Sequence, residues 1–317
     1  MHAKIGTDPE HAARLLRRGA LVSLPTETVY GLGANALDPV AVARIFAAKN
    51  RPRFDPLILH HASAERILAY AARVPDPAAD LAERFWPGPL TLVLPRTADV
   101  PDLVTAGLET VALRVPDHPL TRSVLDRLDF PVAAPSANPF GFVSPVTARH
   151  VADQLGDQVD YILDGGSCRV GLESTIVTFG PDGLITVLRK GGTPVEALEE
   201  HLGNRVAVRT HGSSRPEAPG MLSRHYSPGL PLTLVDRALQ EGTPQCAVVR
   251  FGTPARNEFE MTWSAAGDLE EAAHRLFTIL RVLAAGDYRS ATVERVPERG
   301  LGRAINDRLR RAAEGGA

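Results

Sequence analysis

From residue 9 to residue 208 the chain alternates short apolar runs with segments of helical period, a rhythm that few folds can accept. The runs "ALVSL" (20–24), "PLILH" (56–60), "LTLVL" (90–94), "TVALRV" (110–115), "PVAAP" (131–135), "YIL" (161–163), "STIVTF" (174–179) and "LITVL" (184–188) read as strands. Between them "PEHAARLLRRG", "DPVAVARIFAAK", "SAERILAYAA", "PAADLAERFW", "HPLTRSVLDRL", "TARHVADQL" and "TPVEALEEHL" carry helical spacing. In the second of these, Asp38 can cap the helix and Pro39 suits its first turn, while Val42, Ile45 and Phe46 share a face. Lys49 then falls in the last turn. Such alternation predicts an α/β protein.

Residues 209–229, which include "THGSSRPEAPGMLSRHYSPG", have no apolar period and are rich in Gly, Ser and Pro, the composition of a linker. Beyond them "LTLV" (232–235), "CAVVR" (246–250) and "TVERV" (292–296) read as strands, with helices near 268–285 and 301–313. At 317 residues the chain is long enough for two cores. A larger domain over 1–208 and a smaller α/β domain over 230–317 are expected.

Composition narrows the function. The formal net charge of −2 argues against a surface coated for tight nonspecific nucleic-acid binding. The opening "MHAKIGTDPEHAARLLRRG" lacks the apolar core of a signal peptide, and runs such as Leu90–Leu94 are far below spanning length, so a cytosolic protein without membrane contact is expected. Cys168 and Cys246 lie far apart and read as free thiols. No G-x-x-x-x-G-K-[ST], G-x-S-x-G, H-E-x-x-H or H-R-D occurs. "YGLGANA" lacks the third glycine of a dinucleotide fingerprint. His60 and His61, adjacent on a strand, face opposite ways and cannot share a metal.

What remains is cationic and hydroxylic. Only three of the 35 basic residues are lysines, Lys4, Lys49 and Lys190. Lys49, Arg51 and Arg53 close a helix at Pro52, and two readings fit them: a solvated basic end that satisfies terminal carbonyls, or a fixed pair of cations for phosphate, carboxylate or bicarbonate. Arg114 inside a strand needs a partner, protein or ligand. Ser136, Asn138 and Ser144 sit in a Pro/Gly-restrained loop, suited to ligating phosphate or ribose and equally to ordinary turns.

"PTETVYGLGANA", "KNRPRFDPLILH", "ETVALRVPDHP", "PVAAPSANPFGFVSPVTARHV", "GLESTIV" and "VLRKGG" follow one another in the order of the YrdC-like, L-threonylcarbamoyladenylate synthase family, which the chain resembles over about residues 5–208. "GMLSRHYSP" and "GLGRAINDRL" resemble its longer, two-domain branch. The pattern departs at Lys190, where a proline is expected. The resemblance implies a YrdC-like twisted open mixed sheet with helices, plus a smaller Rossmann-like α/β domain. It also implies a nucleotidyltransferase that makes L-threonylcarbamoyl-AMP and pyrophosphate from L-threonine, bicarbonate and ATP, accompanied by Mg²⁺, for threonylcarbamoyl-adenosine modification of tRNA by downstream proteins that accept the adenylate.

By matched position, the resemblance places Thr28, His60, Arg114, Ala134 and Ser174 around threonine and its carbamate. Arg51, Asp55, Thr110, Ser136, Ser144 and Arg189 correspond to the ATP side, with Asn138 supporting the Ser136 loop. Lys49 and Arg51 resemble the basic pair at the phosphates or bicarbonate, and Tyr226 resembles either a lid residue over ATP or an anchor for the linker. Glu27 and Glu173 could reach Mg²⁺ through water, although this ion leans on the nucleotide's own phosphates and no protein metal ligand is assigned. An RNA-binding or ribosome-maturation factor using the same cationic hollow is the alternative. A carbamoyl-transfer enzyme for another acceptor is disfavoured because no acylphosphatase-like or zinc-cluster region accompanies the motifs. Direct tRNA binding and the role of the second domain stay open.

Overall fold

The computed structural model describes residues 4–180, 183–209 and 226–315. Most of the expected linker, 210–225, therefore lies outside the described residues.

Two sheets organise the chain. The larger is built from β1 (Lys4–Gly6), β2 (Val22–Leu24), β3 (Gly31–Asn35), β4 (Ile58–His60), β5 (Leu90–Pro95), β6 (Thr110–Arg114), β7 (Val132–Ala133), β8 (Tyr161–Leu163), β9 (Thr175–Phe179), β10 (Ile185–Arg189) and β11 (Val206–Val208). Their spatial order is β1-β8-β2-β3-β7-β4-β6-β5-β9-β10-β11, with parallel and antiparallel pairs mixed. The helices of this half are α1 (Pro9–Arg17), α2 (Pro39–Lys49), α3 (Ala64–Leu68), α4 (Asp76–Phe85), α5 (Asp102–Thr105), α6 (Pro119–Asp126), α7 (Ala148–Leu155) and α8 (Val195–Leu202). The smaller sheet is all parallel, in the order β12 (Leu232–Val235), β15 (Ser290–Glu294), β13 (Cys246–Arg250), β14 (Glu260–Thr262), and carries α9 (Leu269–Ala285) and α10 (Gly302–Glu314). Every run read above as a strand overlaps one, and the helices fall where the period placed them. The last strand, expected at 292–296, is centred two residues earlier.

The glycine-rich stretch 31–35 is a strand, β3. Gly33 has no room for a side chain, because a Cβ there would lie 2.9 Å from Val132 Cγ1 and 3.1 Å from Val22 O. The glycines of "YGLGANA" thus let β2, β3 and β7 close up. In α2, Asp38 caps as expected, accepting from Val40 N at 2.9 Å, and Asn50 ends the helix in the left-handed region at φ 49°. That reversal turns Arg51 back toward the sheet.

The two halves share one continuous apolar core that runs from Leu21 to Ala312. Polar contacts cross the same boundary: His274 Nδ1 lies 2.9 Å from Cys168 O, Arg281 donates to Val143 O at 2.6 Å, and Gly300 N donates to Glu196 Oε1 at 3.0 Å. A buried ion pair in the smaller sheet, Arg250 to Glu260 at 2.7 Å, fixes β13 to β14.

Candidate functional site

Between the strand ends of β4, β6 and β9 and the loops after β2 and β7 lies a cavity open to solvent. Strand register makes its floor. His60 is the parallel partner of Arg114, and Ala134, just past β7, donates its N–H to Ile58 O at 3.0 Å. Arg114 is held by Glu27 Oε1 at 2.6 Å, by Thr28 Oγ1 at 3.0 Å and by Gly88 O at 3.1 Å. The buried arginine of the sequence thus has its partner in the Thr26–Thr28 turn. That turn is folded round Thr26, whose hydroxyl donates to Val29 O at 2.6 Å and accepts from the N–H groups of Thr28 and Val29.

The opposite wall is set by a register shift. Between Val187 and Arg189 the pairing of β10 with β9 slips, and the irregularity re-aims Arg189 at Ser174. Arg189 donates to Ser174 O and Ser174 Oγ, each at 3.0 Å, and the same hydroxyl lies 2.7 Å from Thr91 Oγ1. The following "GG" packs on this corner so closely that a Cβ on Gly191 would stand 2.3 Å from Glu173 O. Lys190, the departure from the family pattern, immediately precedes it and is only half-buried.

Arg51 reaches the cavity from the turn after α2. It is buried, donates to Asp55 O at 3.2 Å and Pro56 O at 2.9 Å, and pairs with Asp55 Oδ2 at 2.8 Å. Tyr226 closes the far side at φ 66°, stacked on Phe277 of α9 with ring centroids 5.5 Å apart. Its buried hydroxyl is pushed up to about 12, so it is a neutral phenol at physiological pH.

The structure brings Thr28, His60, Arg114, Ala134, Ser174, Arg51, Ser136, Arg189 and Tyr226 to the cavity wall. It places the remaining candidates differently. Asp55 acts on the cavity through Arg51. Lys49 is 1% exposed and donates to Ser136 O at 2.5 Å and to Asn138 O. Asn138 donates from Nδ2 to Pro139 O and Phe142 O, each at 2.9 Å, so both side chains bind the Ser136 loop from behind. Ser144 donates to Glu173 Oε1 at 2.6 Å. Thr110 lies at the far end of β6 from Arg114, paired with Pro95. Spacing alone did not single out Arg308, which donates from Nε to Glu173 Oε2 at 3.0 Å. A signal was present in "AINDRLRRAA": Arg308 falls on the same helical stripe as Ile305, Leu309 and Ala312.

Electrostatically the cavity is cationic. Burial lowers Arg189 to about 10, which leaves it charged at neutral pH. Burial, reinforced by the Arg114 charge, lowers His60 to about 3, so its imidazole is neutral. Lys49 is lowered by burial and by Arg51, and Asp55 is raised by burial against the pull of Arg51. Burial would raise Glu173, yet Arg308, Arg189 and the Ser144 hydroxyl bring it down to about 2. Glu27, Asp55 and Glu173 are each engaged by an arginine, and no cluster of three potential metal ligands occurs among the described residues. Nor is any helix among them long and apolar enough to cross a membrane.

Known proteins resemble this chain along its whole length. Residues 14–191 match the family described as telomere recombination (Sua5, YciO and YrdC), and residues 193–314 match the threonylcarbamoyl-AMP synthase C-terminal domain. The second match begins at α8, which is followed by β11 on the edge of the larger sheet. The threonylcarbamoyl-AMP synthase of Pyrococcus abyssi is 41% identical, with 95% of this chain and 93% of that protein covered. That of Bacillus subtilis is 39% identical, with 97% and 94% covered. The crystal structure of P. abyssi Sua5 complexed with L-threonine superposes with a TM-score of 0.90 at 36% identity, covering 100% of this chain and 98% of that one.

Proposed function

Because the chain belongs to the threonylcarbamoyl-AMP synthase family, we propose that it condenses L-threonine, bicarbonate and ATP into L-threonylcarbamoyl-AMP and pyrophosphate. The observation that carries this reading is the set of three buried guanidinium groups, Arg51, Arg114 and Arg189, facing one cavity. Threonine brings a carboxylate, bicarbonate a negative charge and ATP a polyphosphate. They repel one another, and fixed cations in a site of low dielectric offset that repulsion.

The threonine nitrogen attacks the bicarbonate carbon, water leaves, and a carbamate forms. A carbamate oxygen then attacks the α-phosphorus; the new P–O bond forms as the α–β anhydride bond breaks and pyrophosphate departs with the electron pair. The carbamate is labile in water, so holding it beside ATP contributes more than a dedicated acid or base. His60 fits this division of work as a neutral hydrogen-bonding group whose Nδ1 has no partner among the described residues. In this reading Thr28, His60, Arg114, Ala134 and Ser174 hold threonine and the carbamate, while Arg51, Ser136 and Arg189 hold the nucleotide, with Tyr226 over it. Asp55, Lys49, Asn138 and Ser144 orient those groups. Mg²⁺ bound by the nucleotide would neutralise charge on its phosphates, and Glu27, Asp55 and Glu173, each already engaged by an arginine, would not hold it directly. The enzyme works in the cytosol, and its adenylate passes to proteins that modify tRNA.

Incubation with ATP, bicarbonate and each of several amino acids, followed by mass detection of the adenylate and measurement of pyrophosphate, tests the proposal. Threonine- and bicarbonate-dependent adenylate is the expected result. Pyrophosphate release that ignores both, or none at all, would overturn it.

A further inference from the structure

The smaller half sends a charged side chain to the back of the cavity wall, against Glu173 and Tyr226. Arg308, on α10, is 0% exposed. Its Nε donates to Glu173 Oε2 at 3.0 Å and its Nη1 to Asp307 Oδ2 at 2.9 Å. Its guanidinium carbon lies 5.3 Å from the centre of the Tyr226 ring, and Nη2 has no hydrogen-bond partner among the described residues. Glu173 is a cavity-wall residue whose other oxygen takes the Ser144 hydroxyl at 2.6 Å. It immediately precedes Ser174, which is bonded by Arg189. One guanidinium therefore spans from α10 to two parts of the proposed nucleotide side: Tyr226 above it and the Ser144–Glu173 wall.

We infer that Arg308 is a positioning residue of the catalytic cavity, holding Glu173 as the anchor for Ser144 and Tyr226 as the closing wall, so that the smaller domain completes the nucleotide site. The inference rests on the synthase reading above. A guanidinium on an interior stripe among Ile305, Leu309 and Ala312 is costly to bury, and a helix stabilised only by packing would carry an apolar residue there. The geometry explains the exception. A planar fork can bond Glu173 edge-on through Nε, reach Asp307 through Nη1 and lie over the tyrosine face, which a lysine ammonium cannot do at once.

The charged groups that act on Glu173 are Arg308 from α10 and Arg189 from β10, with Tyr226 beside it and Ser144 as a neutral donor; Asp307 and Arg311 of α10 act in turn on Arg308 and Tyr226, and Arg114 of β6 on Arg189. Arg308 is the largest of the influences that keep the carboxylate ionised against burial. Without it, burial dominates and Glu173 takes up a proton at higher pH.

The test compares full-length wild type, Arg308→Met, Arg308→Lys and the double variant Arg308→Met/Glu173→Gln by steady-state kinetics from pH 6 to pH 9. In Arg308→Met the KM for ATP rises about tenfold or more, as loss of an interaction worth over 1.4 kcal/mol would give, while the KM for threonine moves less than about twofold. Turnover of this variant also falls as pH is lowered through an inflection that wild type lacks. Arg308→Lys restores little, and the double variant loses the inflection because a glutamine cannot titrate. Should Arg308→Met unfold, the double variant, in which no buried carboxylate is left without its arginine, still reports the ATP effect. Wild-type KM for ATP and a flat pH profile in a folded variant would remove Arg308 from the site while leaving the synthase reading intact. A wild-type protein without threonine-dependent pyrophosphate release would sink that reading first.

Discussion

Arg51 and Asp55 are ion-paired at 2.8 Å within the turn that follows α2, with side chains only 5% and 3% exposed. Two more bonds, to the carbonyls of Asp55 and Pro56, hold the guanidinium in plane. The turn is a rigid cradle, and part of the arginine lines the cavity.

Replacing that arginine should therefore separate chemistry from folding. Arg51→Ala is expected to lower ATP-to-pyrophosphate turnover about a hundredfold or more, in the range of lost charge-stabilising groups, with a native circular dichroism spectrum. Arg51→Lys should recover little, since one ammonium cannot make the Nε and Nη2 bonds together. Undiminished turnover in Arg51→Ala would take the phosphates elsewhere.

Lys49 should behave differently, because its ammonium serves two loop carbonyls and not the cavity wall. Removing the donor in Lys49→Met takes the ammonium from Asn138 O and from Ser136 O, of which the latter keeps the N–H of Asn138 at 3.0 Å, at a cost of about 1–3 kcal/mol readable by urea unfolding. The slackened loop is expected to raise the KM for ATP more than it lowers kcat. Unaltered stability together with lost kcat would instead put Lys49 at the reacting atoms.

His60 makes an acid-side prediction. Its folded value is about 3, against an ordinary 6.5 in the unfolded chain. Between those values the unfolded state binds a proton that the folded state does not, so the stability associated with a neutral His60 is complete above pH 6.5 and drains away as pH falls toward 3. Unfolding in urea at pH 7.5 and pH 4.5 should show that His60→Phe loses less stability on acidification than wild type, by on the order of 2 kcal/mol. Equal losses in the two proteins would mean that His60 is protonated in the fold.

How much of this was legible beforehand follows from physical range. Strands such as "LTLVL" and helices such as "DPVAVARIFAAK" announce themselves because every residue needed for the inference is local. β1, β11 and β14 passed unnoticed: each has three residues and none is buried throughout, whereas the equally short β2, β4 and β8 are buried along their whole length. β3 was hidden by its glycines, whose role depends on Val132, some hundred residues away. At the site, the order of motifs named most of the wall residues. It could not tell that Lys49 and Asn138 brace a loop while Arg51 faces inward, because that depends on side-chain direction after a left-handed turn at Asn50. Glu27 was legible only as a loose candidate for a metal, and its real partner, Arg114, lies 87 residues on in sequence.

The order of strands in the larger sheet bears on how the protein comes into being. β2, among the first strands translated, needs β8 beside it, and the edge strand β1 pairs with β8 too. A nascent chain leaving the ribosome must therefore wait until residues 161–163 emerge before its earliest strands can pair fully. The corner made by Ser174 and Arg189 arrives later still, so ligand binding begins only when synthesis is well past its midpoint.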